Sequence, residues 1–186
     1  MSVSSPHFLL VDDHALFRTG MGLMLAEQWP GARVSQATTW AQALAQLQAD
    51  VPDLILLDVH LPDGHGLADL PALRALAPHC PVLMMSAEVT GQQILEARQA
   101  GVTGFLPKVA SATDILAAVK SAMGGAASYA AVPYTVLSEA AGVQDAAMPS
   151  VLKVADAEPV LSERQLAILH YLGGARRTRR LRDRWA

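Results

Sequence analysis

The chain has 186 residues, 52% of them hydrophobic and 17% charged, which supports a packed core, excludes global disorder and leaves room for one domain plus a small second unit. Its single cysteine, Cys80, excludes an intramolecular disulfide and a cysteine zinc cluster, and no apolar run approaches the roughly 18 residues of a membrane span or follows a basic start, so a soluble cytoplasmic protein away from membranes is expected. The net charge of -3 conceals an asymmetry: residues 1–125 hold eleven acidic and six basic side chains, whereas the last eleven residues hold six arginines and one aspartate.

Residues 7–11 (His-Phe-Leu-Leu-Val) read as a first buried strand ending at Asp12-Asp13. A helix is predicted over 14–28, with Leu16, Phe17, Met21, Met24 and Leu25 at helical spacing and Pro30-Gly31 stopping it. A weaker strand over 32–36 and a helix capped by Thr38 or Thr39 follow, the helix carrying Trp40, Ala43, Leu44 and Leu47 on one face to residue 49. Residues 54–57 (Leu-Ile-Leu-Leu) run straight into Asp58 and the turn residues Pro62-Asp63-Gly64, the mark of a strand covered on both faces. A helix over 66–76, a strand over 81–85 ending at Ser86 and a helix over 92–100 closed by Gly101 come next. Last are a strand over 103–106 ending at Pro107-Lys108 and a helix opened by Ser111 or Thr113, running to 123 with Ile115, Leu116, Val119 and Met123.

Strands alternating with helices predict an α/β fold: a doubly wound, five-stranded parallel sheet with right-handed crossovers and helices on both faces. Gly124-Gly125 ends this domain, 1–125. Residues 126–160 are Ala-rich, weakly patterned and broken by Pro133, Pro149 and Pro159, and are expected to form a linker with a helical turn or two near 138–147. Organised structure restarts at Leu161, where Ser162 and Gln165 match a capping box and Leu166, Ile168 or Leu169, and Leu172 give an apolar face.

The chemistry-bearing residues sit at strand ends. Ligand sites of open α/β sheets lie outside the carboxyl ends of the strands, and in the order 2-1-3-4-5 the first and third strands meet at the switch point. Asp12, Asp13 and Asp58 would crowd there and repel one another, which a divalent cation relieves; ligands that are all oxygen select a hard ion such as Mg2+. A carboxylate is also a nucleophile toward phosphorus, so phosphorylation of Asp58 is the chemistry suggested, with Lys108 balancing phosphoryl charge and Ser86 donating a hydrogen bond. Taken singly, each residue has a plainer reading: Asp12-Asp13 as a helix cap, Asp58 as a turn starter, Ser86 as a loop hydroxyl, Lys108 as a surface charge. The joint placement at four strand ends favours the shared site.

The ordered set Val-Asp-Asp, Leu-Leu-Asp-x-x-Leu-Pro-Asp-Gly, Met-Ser-Ala and Gly-Phe-Leu-Pro-Lys resembles the CheY-like receiver domain of bacterial two-component response regulators, over residues 7–123. The resemblance implies a flavodoxin-like fold and phosphoryl transfer to Asp58 from a sensor histidine kinase. It further implies Mg2+ held by Asp12, Asp13, Asp58 and the backbone carbonyl of His60, a switch pair Ser86 and Phe105, and homodimerisation on phosphorylation. It implies a phosphoacceptor rather than a turnover enzyme. Phe105 stands where tyrosine is often found, so its ring lacks a polar tip, and plain packing is its other reading. Asp12 to Gly20 and Leu161 to Leu169 are further similar to the branch that controls transcription through a LuxR-type helix-turn-helix DNA-binding domain. Too few residues follow Val160 for the recognition helix, and after Gly174 the sequence turns arginine-rich. Residues 161–186 are therefore read as a remnant of that domain, truncated or shifted in frame; six arginines could contact phosphates without reading bases, but a charged, solvated, frayed end is the favoured reading, and specific DNA binding is expected of a full-length parent rather than of this chain.

Two other classes compete with this reading. A haloacid-dehalogenase-type phosphatase also places an aspartyl nucleophile after a buried strand, but needs a second aspartate two residues on, where His60 stands. A stand-alone receiver acting through protein contacts, without DNA, is the remaining alternative. No Gly-rich phosphate loop is present, which argues against ATP hydrolysis.

Overall fold

The computed structural model describes residues 5–129, 131, 132, 136 and 137. Five strands, β1 (His7–Val11), β2 (Arg33–Ala37), β3 (Leu54–Asp58), β4 (Val82–Ser86) and β5 (Gly104–Pro107), pair in parallel in the order 2-1-3-4-5. Five helices alternate with them: α1 (Ala15–Gln28), α2 (Trp40–Ala49), α3 (Leu70–Leu76), α4 (Gly91–Gln99) and α5 (Ala112–Met123). The doubly wound α/β sheet and its predicted strand order are thus observed.

Side chains of adjacent strand residues point to opposite faces, so each apolar strand feeds two cores. Leu9, Val11, Ile55, Leu57, Val82, Met84 and Phe105 form one layer with Trp40, Leu47, Leu73 and Ile94 of α2, α3 and α4. Phe8, Leu10, Leu54, Leu56, Leu83, Met85 and Leu106 form the other with Met21, Leu25, Ile115 and Val119 of α1 and α5. All five residues of β3 and of β4 are buried, whereas the edge strand β2 is buried only at Ala37.

The helix boundaries follow local caps. Thr39 accepts the Gln42 N–H, Thr90 forms a capping box with Gln93, and Ser111 accepts the Asp114 N–H. Four details differ from the sequence expectation. Helix α1 begins at Ala15 because the His14 amide is taken by the Asp12 carboxylate at 2.8 Å, leaving His14 as an extended cap. Leu16, assigned to its core face, is 88% exposed, since Phe17, Met21, Met24 and Leu25 already fill the inward arc. On α5 the small Ala118 and Ala122 take the inward positions, and Met123 lies at the surface. Helix α3 begins at Leu70, not residue 66, because His60–Leu61 and Gly64–His65 fold back as a two-residue antiparallel ladder, and Pro71 sits in the first turn, where its missing N–H costs nothing.

The segment expected to be a linker starts out packed: Ser128, Tyr129, Val132 and Leu137 are buried. Residues 130, 133–135 and 138–160 and the whole helix-turn-helix remnant, 161–186, lie outside the described residues. Among the described residues, no helix is long and apolar enough to cross a membrane.

At the other end of the sheet from Asp58, half-buried His7 holds a polar knot. Its Nε2 lies 2.8 Å from Ser35 Oγ and its Nδ1 2.6 Å from Arg33 Nη2, while Arg33 also pairs with Asp50. Burial, then the Arg33 charge, lowers the His7 pKa below its ordinary 6.5, against the opposing pull of Asp50 and Asp53. Stability from the neutral ring is thus present above pH 6.5 and is lost as pH falls from there through the lowered native value. In urea titrations at pH 7.5 and pH 5, His7→Gln is expected to lose less stability on acidification than the parent chain; equal losses would exclude this role.

Candidate functional site

The site lies where β1 and β3 end side by side. Asp12 follows β1 directly and is wholly buried; its amide still donates to the Ala37 carbonyl at 3.1 Å, extending the ladder to β2. Asp58 is the last residue of β3 and is 2% exposed. Asp13 stands beside them with its side chain 42% exposed. Lys108, one residue past β5, reaches across: its Nζ is 2.6 Å from Asp58 Oδ2 and 2.7 Å from Asp12 Oδ2. The strand order makes this reach possible, because β4 alone separates β3 from β5, and the Lys108 amide is anchored on the Ser86 carbonyl at 2.8 Å.

Glycine lets the following loop pack against the Asp58 backbone. The Gly66 amide donates to the Val59 carbonyl at 2.8 Å, and a Cβ on Gly66 would stand 2.6 Å from the Asp58 carbonyl oxygen. The loop between them is tied to α2 by Asp63, whose carboxylate accepts the Trp40 and Ala41 amides at 2.7 and 3.0 Å. Those amides, Ala41 first, hold the Asp63 carboxyl below the usual range.

Burial alone would lower the Lys108 pKa and is the largest single influence, but the close contacts and charges of Asp12 and Asp58 together outweigh it and raise the ammonium above its ordinary value. The Lys108 ammonium also lies 5.2 Å from the centre of the Phe17 ring, within cation–π range. Three carboxylates against one ammonium leave two negative charges in excess. Ligand atoms of Asp12, Asp13, His14 and Asp58 all lie within 4.8 Å of one another. Among the described residues, buried Asp12 Oδ2 meets the Lys108 ammonium but no directed hydrogen bond. A hard divalent cation fits this donor set in charge and in ligand chemistry.

The other predicted residues fall as follows. The His60 amide donates to Asp58 Oδ1 at 3.3 Å. Ser86 is buried at the tip of β4, and its hydroxyl donates to the Glu88 carbonyl, not to Asp58. Phe105 lies inside β5 with its ring in the core, 1% exposed. Asp12, Asp13, Asp58 and Lys108 are therefore brought together, while Ser86 and Phe105 lie along the neighbouring strands. Two participants lie beyond the sequence expectation. The His14 Nδ1 lies 2.7 Å from Asp13 Oδ1 and 3.2 Å from Asp12 Oδ1, and Arg18 donates to the Asp12 carbonyl at 2.6 Å. The adjacency of His14 to the acidic pair, and the i,i+4 step from His14 to Arg18 on one helix face, were the available signals.

Comparisons with known proteins agree with this fold. The response regulator receiver domain family matches residues 8–120. The glycerol metabolism activator of Pseudomonas putida is 36% identical over 118 residues, 63% of this chain and 53% of its own length. The chain thus spans about half the length of that curated relative. Among solved structures, a LuxR family DNA-binding response regulator from Silicibacter pomeroyi is 37% identical, covering 65% of this chain and 93% of that one with a TM-score of 0.58. The receiver domain of the putative response regulator NarL from Mycobacterium tuberculosis is 32% identical, covering 65% and 98% with a TM-score of 0.60.

Proposed function

The chain belongs to the response regulator receiver family, and on that premise we propose that it accepts a phosphoryl group on Asp58 from a sensor histidine kinase. The observation that carries this reading is the convergence of Asp12, Asp13 and Asp58 at two adjacent strand ends with the Lys108 ammonium 2.6 Å from Asp58. An Asp58 carboxylate oxygen attacks phosphorus, the O–P bond forms as the P–N bond of the donor phosphohistidine breaks, and the imidazole leaves. Asp12, Asp13, Asp58 and the His60 carbonyl would hold Mg2+, which when bound supplies positive charge to the phosphoryl oxygens. Lys108 supplies a second positive charge from the β5 side. Ser86 turns its hydroxyl from the Glu88 carbonyl toward the new phosphate, and Phe105 is the core residue that senses this turn. The phosphorylated chain dimerises and acts as a regulator, not as a turnover enzyme. In relatives that carry a DNA-binding domain, the same event would control transcription.

Incubation with acetyl phosphate and Mg2+ is expected to add roughly 80 Da, the phosphoryl increment, to the peptide that contains Asp58. Chelation of the metal is expected to reduce the adduct to the blank. An adduct on another peptide, or none, would refute the assignment.

A further inference from the structure

β5 is an edge strand, and an open edge presents unpaired N–H and C=O groups. Here the chain itself covers that edge. Beyond α5, Ser128 comes back alongside Gly104 in a parallel bridge. The Phe105 amide donates to the Ser128 carbonyl at 3.0 Å, and the Ser128 amide donates to the Thr103 carbonyl at 3.1 Å. This approach needs glycine at 104: a Cβ there would stand 2.3 Å from the Ser128 carbonyl oxygen. Three side chains anchor the returning segment. Tyr129, Val132 and Leu137 are 4%, 5% and 7% exposed and belong to the same buried cluster as Phe105, and the Tyr129 hydroxyl reaches the Val102 carbonyl.

We infer that Ser128 and Tyr129 are positioning residues for the phosphoacceptor site, forming a clamp that holds Phe105 in place and loosens when Asp58 is occupied. The inference rests on the phosphoacceptor reading above. Its physical basis is that one strand carries both ends of the coupling. Phe105 is tied by its amide to Ser128 and shares a core with Tyr129, while Lys108, three residues further on, contacts Asp58 directly. A shift of Phe105 that answers a change at Ser86 and Lys108 must strain the bond to Ser128 or repack against Tyr129. Packed cores have few alternative arrangements, so such a change tends to be all or none. By reciprocity, if occupancy loosens the clamp, loosening the clamp tightens binding at the site by the same factor.

The test uses the full chain, beryllofluoride with Mg2+ as the phosphoryl mimic, and three variants. Ser128→Pro removes the amide that bonds Thr103, Tyr129→Ala removes the buried anchor, and Tyr129→Phe keeps the anchor. Calorimetric titration is expected to show Ser128→Pro and Tyr129→Ala binding beryllofluoride about fivefold tighter or more, with Tyr129→Phe close to the parent. Amide exchange at Phe105 is expected to be slow in the free parent chain and faster in the beryllofluoride complex. Misfolding would weaken binding, so a gain in affinity separates positioning from mere stability. Unchanged or weakened affinity in Ser128→Pro and Tyr129→Ala, or occupancy that leaves Phe105 exchange unaltered, would overturn the clamp alone. No binding heat together with no acetyl phosphate adduct in the parent chain would overturn the clamp and the phosphoacceptor reading together.

Discussion

Asp58→Asn is expected to bring phosphoryl incorporation from acetyl phosphate down to the blank while leaving the fold intact. The substitution conserves shape and removes the nucleophile: an amide oxygen carries too little charge to attack phosphorus at a useful rate. Steric disruption is not expected, because Asn fills the same volume at the tip of β3 and its side-chain oxygen still accepts the His60 amide, 3.3 Å away in the parent chain. Lys108 loses one charged partner but keeps Asp12 at 2.7 Å. The acidic cluster falls from three carboxylates to two, so metal-free thermal stability is expected to be no lower than that of the parent. Intact-mass and peptide mapping read the first outcome and thermal unfolding the second. Undiminished Mg2+-dependent incorporation in Asp58→Asn would show that a different group receives the phosphate.

The strands and the acidic site were legible in the sequence for a common reason. A parallel strand is buried on both faces, so it appears as an unbroken apolar run, and the first polar residue after it marks the rim where ligands bind. Leu54 to Leu57 followed by Asp58, and Phe8 to Val11 followed by Asp12, show this directly, and the fold places both aspartates as that rule requires. Lys108 was legible as a strand-end residue, but its simultaneous contact with Asp12 and Asp58 depends on the length of its side chain and the order of three strands. The returning segment was not legible. Its bonds to Thr103 and Phe105 are made by backbone groups, which leave no side-chain signature, and its anchors Tyr129, Val132 and Leu137 follow no fixed period. The one trace it leaves is Gly104, whose missing side chain is needed only once the Ser128 carbonyl lies against it. The shortened α3 has a similar origin: the short ladder after Asp58 consumes residues that a helical reading would have claimed.

Lys108→Met is expected to destabilise the metal-free chain by roughly 3 kcal/mol, about a 10 °C fall in melting temperature for a domain of this size, and Mg2+ is expected to recover much of that loss. Methionine retains most of the aliphatic length beside Phe17, so the change is mainly one of charge. Without the ammonium, the buried carboxylates of Asp12 and Asp58 face each other with no cation between them, and removing one partner of a buried ion pair costs more than the pair itself contributes. Asp12 and Asp58 hold the Lys108 pKa above its ordinary 10.5, so this contribution is complete below that value and is lost only as pH rises through the native one; measurements at pH 7.5 capture it whole. A double-mutant cycle with Asp12→Asn separates the ion pair from loss of packing, since in the Asp12→Asn background the Lys108→Met penalty should shrink by 1 kcal/mol or more, on the order found for coupled neighbours. If Lys108→Met melted with the parent chain in both the presence and absence of Mg2+, the lysine would be a bystander at the rim, and the charge balance that makes the cluster suited to a divalent cation would have to come from elsewhere.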